Sequence, residues 1–208
     1  MKINIIDYGA GNTQSVYNSI KTISDKFEVV ISNKISDLKS STHFILPGVG
    51  SFGDCINNLK SINGFITELR SQVLNIKKPF LGICVGMQVL ASFGYENGEH
   101  QGLGFINGKV EKIDFPEAKI PHMGWNDLII KNNQHPIVKE ISNGDHFYFA
   151  NSYRFICNNN NNVLGYVNYG CEINSIIAKE NIIGVQFHPE KSGDKGLKIL
   201  SNFLNWRP

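Results

Sequence analysis

The stretch Leu81-Gly82-Ile83-Cys84-Val85-Gly86-Met87-Gln88 joins an apolar strand to a helix through one cysteine. Residues 79–84 read as a short buried strand, because Phe80, Leu81 and Ile83 fall in one apolar run bounded by Pro79. Residues 86–93 read as the helix that follows. Cys84 has a glycine two residues before it and another two residues after it. That is the pattern of a nucleophile elbow with Cys in place of Ser. The need for glycine is steric: a nucleophile on a strained turn requires neighbours without Cβ atoms, so that chain and substrate can approach. A helix N-terminus at this point would favour the thiolate. Taken alone, the stretch is equally a buried cysteine between packing glycines.

Outward from the elbow, strand and helix signals alternate. Residues 2–6 form a β-type run that stops at the turn cluster Asp7-Tyr8-Gly9-Ala10-Gly11-Asn12. Val16, Ile20 and Ile23 have helical spacing within 13–24. Residues 27–32 and 43–46 are further strands, and Ile56, Leu59, Ile66, Leu69 and Val73 make one helical stripe. This alternation predicts a parallel sheet with helices on both faces. The second half is richer in strands, at 104–113, 127–130, 147–150, 154–157, 163–169, 175–179 and 182–187. These are expected to build an antiparallel extension or flanking sheet, before a closing helix over 195–204. The five asparagines Asn158–Asn162 read as a solvated hairpin loop. With no repeat and no linker, residues 1–208 are expected to form one domain.

Composition narrows the function. The chain has 208 residues, a net charge of +2 and only 18% charged residues, so no basic field points to nucleic acid or an anionic membrane. No apolar run approaches the ~20 residues that span a bilayer. The opening apolar stretch, broken by Asp7, is too short for a signal peptide, and the expected location is the cytoplasm. Cysteines stand at 55, 84, 157 and 171, with no CxxC spacing, so no metal site is expected.

A thiol nucleophile needs a base. Of six histidines, His188 stands out in Gln186-Phe187-His188-Pro189-Glu190-Lys191, where an apolar strand ends in His and an acid follows two residues later. Side chains two apart on an extended segment point the same way, so Glu190 can orient the imidazole that serves Cys84. By itself His-Pro-Glu is also an ordinary turn. The loop Pro47-Gly48-Val49-Gly50 follows a strand and offers backbone N–H groups for an oxyanion, with the amide of Val85 as a second donor. Gly9-Ala10-Gly11 mimics the start of a dinucleotide fingerprint, but Gln14 occupies the place of the third glycine, so no dinucleotide cofactor is expected.

Together these segments resemble the class I, triad-type glutamine amidotransferases. Within that family, Ile120-Pro121-His122-Met123-Gly124-Trp125-Asn126, the opening Ile6–Asn12 and the segment Tyr148–Tyr153 are similar to the glutaminase subunits of imidazole glycerol phosphate synthase. The resemblance spans essentially the whole chain. It implies a flavodoxin-like α/β fold, with a central mostly parallel sheet, flanking helices and an antiparallel extension. It implies that Cys84 attacks the side-chain amide of glutamine, that His188 moves the proton and that Glu190 orients His188. Gly48, Val49, Gly50 and Val85 would supply the oxyanion site, and Gln88, Glu96, Ser152 and Tyr153 would bind glutamine, with no cofactor.

The same resemblance implies a partner, a separate (β/α)8-barrel cyclase subunit that receives the ammonia in a heterodimer. Asn12, Pro121, Met123, Trp125, Asn126, Tyr148 and Lys191 would lie at or near that interface. The implied products are imidazole glycerol phosphate and aminoimidazole carboxamide ribotide, in histidine biosynthesis, with weak glutaminase activity in the absence of the partner. Two positions depart from the family pattern: Asn151 stands where His is usual, and Val85 where Leu is common. The first keeps open a paralogous amidotransferase serving another barrel, as in amidation of a surface sugar. A partner-free γ-glutamyl or cysteine hydrolase and a non-enzymatic module are the remaining readings.

Overall fold

The computed structural model describes residues 1–116 and 119–208. Its first half runs β1 (Lys2–Ile6), α1 (Thr13–Ile23), β2 (Glu28–Ser32), α2 (Ile35–Ser40), β3 (His43–Gly48), α3 (Phe52–Ser61), α4 (Phe65–Arg70), β4 (Phe80–Cys84) and α5 (Val85–Gln88). The second half adds β5 (Phe93–Gly94), β6 (His100–Gln101), β7 (Gly108–Lys112), β8 (His122–Asp127), β9 (Ile129–Ile130), β10 (His146–Asn151), β11 (Tyr153–Cys157), β12 (Val163–Asn168), β13 (Glu172–Lys179), β14 (Ile182–Val185) and α6 (Gly193–Asn205). The main sheet is ordered β2-β1-β3-β4-β14-β13-β12-β9. Its first five strands are parallel, in the flavodoxin-like order, and the last three extend it antiparallel. Strands β3, β4 and β14 are buried along their whole length, which is why they read as unbroken apolar runs.

Two small sheets complete the molecule, β10 with β8 and β11-β7-β5-β6. Among the described residues no helix is long and apolar enough to cross a membrane. The parallel strands all point one way, and β3 and β4 end side by side, with Gly48 opposite Cys84. In open α/β sheets, ligands bind outside the carboxyl ends of such strands.

Four expectations need correction. The helix expected over 86–93 stops at Gln88, because the carbonyls of Val89, Leu90 and Ala91 accept from the N–H groups of Leu103, Ile106 and Gly104. Those tertiary bonds replace helix propagation. The apolar stripe from Ile56 to Val73 is two helices, broken where Gly64 takes a positive φ of 71°. Asn158–Asn162 is not a hairpin loop: β11 and β12 belong to different sheets, and the run forms a short 3-10 turn between them. Finally, β8 has no counterpart among the expected strands, since it turns its large apolar side chains, Met123 and Trp125, outward and its histidine inward.

Candidate active site

Cys84 closes β4 with φ 54° and ψ −112°, a sparsely populated backbone state that costs roughly 1–3 kcal/mol. The surrounding glycines make it possible. A Cβ on Gly82 would lie 2.4 Å from the carbonyl oxygen of Gly86, and one on Gly86 only 1.9 Å from that of Leu46. A Cβ on Gly48 would lie 2.4 Å from the Gly86 nitrogen. The elbow therefore nests against the end of β3, and the glycines are there for close approach. Because α5 is a single turn, the contribution expected from its N-terminus shrinks to local N–H groups.

His188 stands just past β14 in extended conformation, and its Nδ1 is 2.9 Å from Glu190 Oε1. Glu190 reaches it from a 3-10 turn, Pro189–Lys191, and not from a continuing strand as the sequence suggested. The pair is buried, with side-chain exposures of 6% and 1%. Burial alone would lower the imidazole pKa. Its hydrogen bonds and charge interactions with Cys84 and Glu190 outweigh that and raise it to about 10. Cys84 and Glu190 thus both interact with the one imidazole of His188. Burial pushes the thiols of Cys55 and Cys157 up to about 12, and Cys171 also upward, so these three are poorer nucleophiles.

The backbone of His188 is clamped. Its N–H donates to Tyr148 O at 2.9 Å, and its carbonyl accepts from Ser192 Oγ at 2.7 Å. Ser192 Oγ in turn accepts from the N–H of Tyr148 at 3.0 Å. This ring ties His188 to β10, and nothing local in the sequence singles out Ser192 for it. Asn12 Nδ2 reaches Glu190 Oε1 at 3.4 Å, so this expected interface residue also touches the His188–Glu190 pair.

A cavity of about 160 Å³ opens over Cys84, lined by Gly50, Val85, Gln88, Glu96, Ser152 and Tyr153, all expected, together with Pro121, Met123, Ala150 and Asn151. Glu96 Oε2 accepts from the Phe52 N–H at 2.7 Å and so ties the start of α3, just after the Gly48–Gly50 loop, to the cavity wall. Val49 is exposed. Asn151 donates to Tyr153 O at 3.0 Å and lies directly across β10 and β8 from His122. His122 is stacked between Phe149 and Tyr169, and burial, partly offset by Asn151, lowers its pKa to about 4.

The other expected interface residues share one face. Met123 and Trp125 are 63% and 58% exposed. Tyr148 meets Trp125 edge-on at 6.1 Å, and Lys191 lies over the Tyr148 ring at 5.8 Å. Asn126 differs, because its amide is spent internally on His122 Nε2 and Asn168 O, both at 3.2 Å. A contact absent from the expected site is Gln186, whose amide lies against Cys84 Sγ.

The carboxyl edge of a flavodoxin-like sheet thus carries a cysteine elbow, a histidine and a buried glutamate, the residue types a thiol hydrolase uses. Residues 4–206 match the family Glutamine amidotransferase class-I, and the chain belongs to that family. It is 44% identical over 209 residues to the imidazole glycerol phosphate synthase subunit HisH of Pelagibacter ubique, covering 99% of this chain and 100% of the relative. It is 41% identical over 214 residues to the HisH subunit of Rhodospirillum rubrum, covering 100% of both. Solved structures share the fold. A glutamine amidotransferase crystal structure superposes with a TM-score of 0.74 at 19% identity, covering 97% of this chain and 98% of that one. PurLQS from Thermotoga maritima gives 0.73 at 22%, covering 98% and 97%.

Proposed function

We propose that this chain is the glutaminase subunit of an imidazole glycerol phosphate synthase: it hydrolyses glutamine to glutamate and ammonia and passes the ammonia to a cyclase subunit in histidine biosynthesis. The observation that supports the reading is a small cavity opening over Cys84, whose thiol interacts with the buried His188–Glu190 pair behind it. The Cys84 sulfur attacks the γ-carbonyl carbon of glutamine, and the thiol proton goes to His188. The C–N bond breaks as His188 returns that proton to the leaving nitrogen, releasing ammonia and leaving a γ-glutamyl thioester. Water, deprotonated by His188, then releases glutamate and restores the thiol.

Backbone N–H groups at Gly48–Gly50 and Val85 hold the oxyanion, each donor contributing roughly 3 kcal/mol to lowering the barrier. Gln88, Glu96, Ser152 and Tyr153 bind the amino-acid end of the substrate. The exposed Met123 and Trp125, with Tyr148 and Lys191, form the surface on which a (β/α)8-barrel partner docks as a heterodimer, aromatic anchors being typical of such surfaces. Free thiols suit the reducing cytoplasm.

Reconstitution tests this reading. Mixed with the cyclase subunit of the same organism, the chain should hydrolyse glutamine faster when the ribulosyl-carboxamide nucleotide acceptor is added, and ammonia should appear in imidazole glycerol phosphate. Stimulation only by a sugar-modifying partner would instead support the paralogous role that Asn151 leaves open.

A further inference from the structure

Gln186 lies two residues before His188, is fully buried, and has its main-chain N–H anchored on Ser175 O at 2.9 Å. Its side-chain Nε2 is 3.7 Å from Cys84 Sγ. An amide can face either way, so the orientation needs an independent reason. Its neighbours supply one. Tyr153 O can only accept, and Gln88 Nε2 donates to it at 3.2 Å. The same Gln88 Nε2 donates to Gln186 Oε1 at 3.1 Å. Reversing Gln186 would set its NH2 against the NH2 of Gln88, and reversing Gln88 would set carbonyl oxygen against carbonyl oxygen. The direction therefore propagates from a backbone carbonyl through two amides and ends with an N–H aimed at sulfur.

Such a donor would act on the sulfur beside His188. Cys84 is 4% exposed, so its thiolate receives little help from solvent. Burial penalises a charge that is not hydrogen-bonded. Gln88 also lines the cavity above Cys84, so the relay begins where substrate would sit. We propose that Gln186 is a further catalytic residue, whose side-chain N–H stabilises the Cys84 thiolate in an orientation set by Gln88. This rests on Cys84 being the nucleophile of the proposed reaction.

The test reads the sulfur directly, without glutamine. Alkylation of Cys84 by iodoacetamide at pH 7, followed by mass spectrometry of its peptide, tracks the thiolate. Gln186→Met, which keeps the bulk and removes the donor, should slow alkylation about ten-fold, the scale of a hydrogen bond to a charged group. Gln186→Glu, which places a carboxylate there, should slow it further, and Gln88→Met, which removes only the orienting bond, should slow it less. A merely structural role predicts the opposite sign, since loosening the site exposes Cys84 and speeds alkylation. Unchanged or faster alkylation in folded Gln186→Met would overturn the assignment.

Should the variants not fold, the wild-type chain suffices. Blocking Cys84 with methyl methanethiosulfonate should shift the Gln186 side-chain NH2 resonances, and unmoved resonances would refute the contact. A chain that meets these expectations yet hydrolyses no glutamine would keep the Gln186–thiolate hydrogen bond and lose the proposed reaction. Glutamine turnover with alkylation indifferent to Gln186 would do the reverse.

Discussion

His43 and His188 sit at opposite ends of the parallel strands, His43 opening β3 and His188 following β14. They are almost equally buried, 1% and 4% exposed. Their partners differ. His43 faces the Thr42 hydroxyl at 3.0 Å, Trp206 O at 3.4 Å and the Arg207 guanidinium at 2.9 Å. Burial, reinforced by the Arg207 charge, lowers its pKa to about 4, so it packs as a neutral ring edge-on to Phe203. At His188 the pull of burial is overcome by a thiol and a carboxylate, and the pKa rises to about 10. Burial alone makes a structural histidine; acidic partners on both sides make one that can hold and return a proton.

The contrast can be broken most severely by removing each ring in turn. His188→Gln should lower glutamine turnover by at least ~10³-fold, the scale of a lost triad base, while His43→Gln leaves kcat near wild type. Steady-state ammonia release measures both, and a comparable loss in the two variants would erase the distinction. The elbow also differs from a surface loop in how tightly backbone meets backbone. Gly86→Ala, whose Cβ would collide with Leu46 O, should cost about 3 kcal/mol of stability or more in denaturant unfolding. Gly104→Ala, with nothing within 4 Å of the new atom but a φ of +65°, should cost about 1 kcal/mol. Equal costs would deny the elbow its steric explanation.

The pH dependence of stability sharpens the comparison, with opposite signs. His43 has a folded pKa below its unfolded value near 6.5, so its contribution is present above pH 6.5 and is lost as pH falls toward 4. That contribution amounts to about 3 kcal/mol. His188 has a folded pKa above its unfolded value, so its contribution is complete below pH 6.5 and is lost as pH rises through 10. Unfolding at stepped pH should therefore show a flatter acid limb in His43→Gln and a flatter alkaline limb in His188→Gln. The smallest effect concerns the exposed face: Trp125→Ala should leave folding unchanged yet weaken cyclase binding by about 2 kcal/mol, read by titration calorimetry.

Much of this site is visible in one dimension because its parts are local. The Gly82–Gly86 elbow, the Pro47–Gly50 segment and His188-Pro189-Glu190 each need particular residue types at fixed spacing, and each lies at or just past the end of a buried strand whose apolar run is equally local. What escaped depends on contacts between distant segments. The end of α5 at Gln88 is set by the capture of three carbonyls by residues 103–106. Strand β8 inverts the usual pattern, with Met123 and Trp125 outward and His122 inward. Ser192 and Gln186 are unremarked polar residues until folding places a hydroxyl beside His188 O and an amide beside sulfur.

Labelling with a diazo-ketone analogue of glutamine addresses the central claim directly, since it requires both a substrate pocket and an activated sulfur at one point. The expected result is a single adduct on the Cys84 peptide, prevented by excess glutamine and slowed in His188→Gln. An adduct spread over Cys55, Cys157 and Cys171, or none on Cys84, would contradict it.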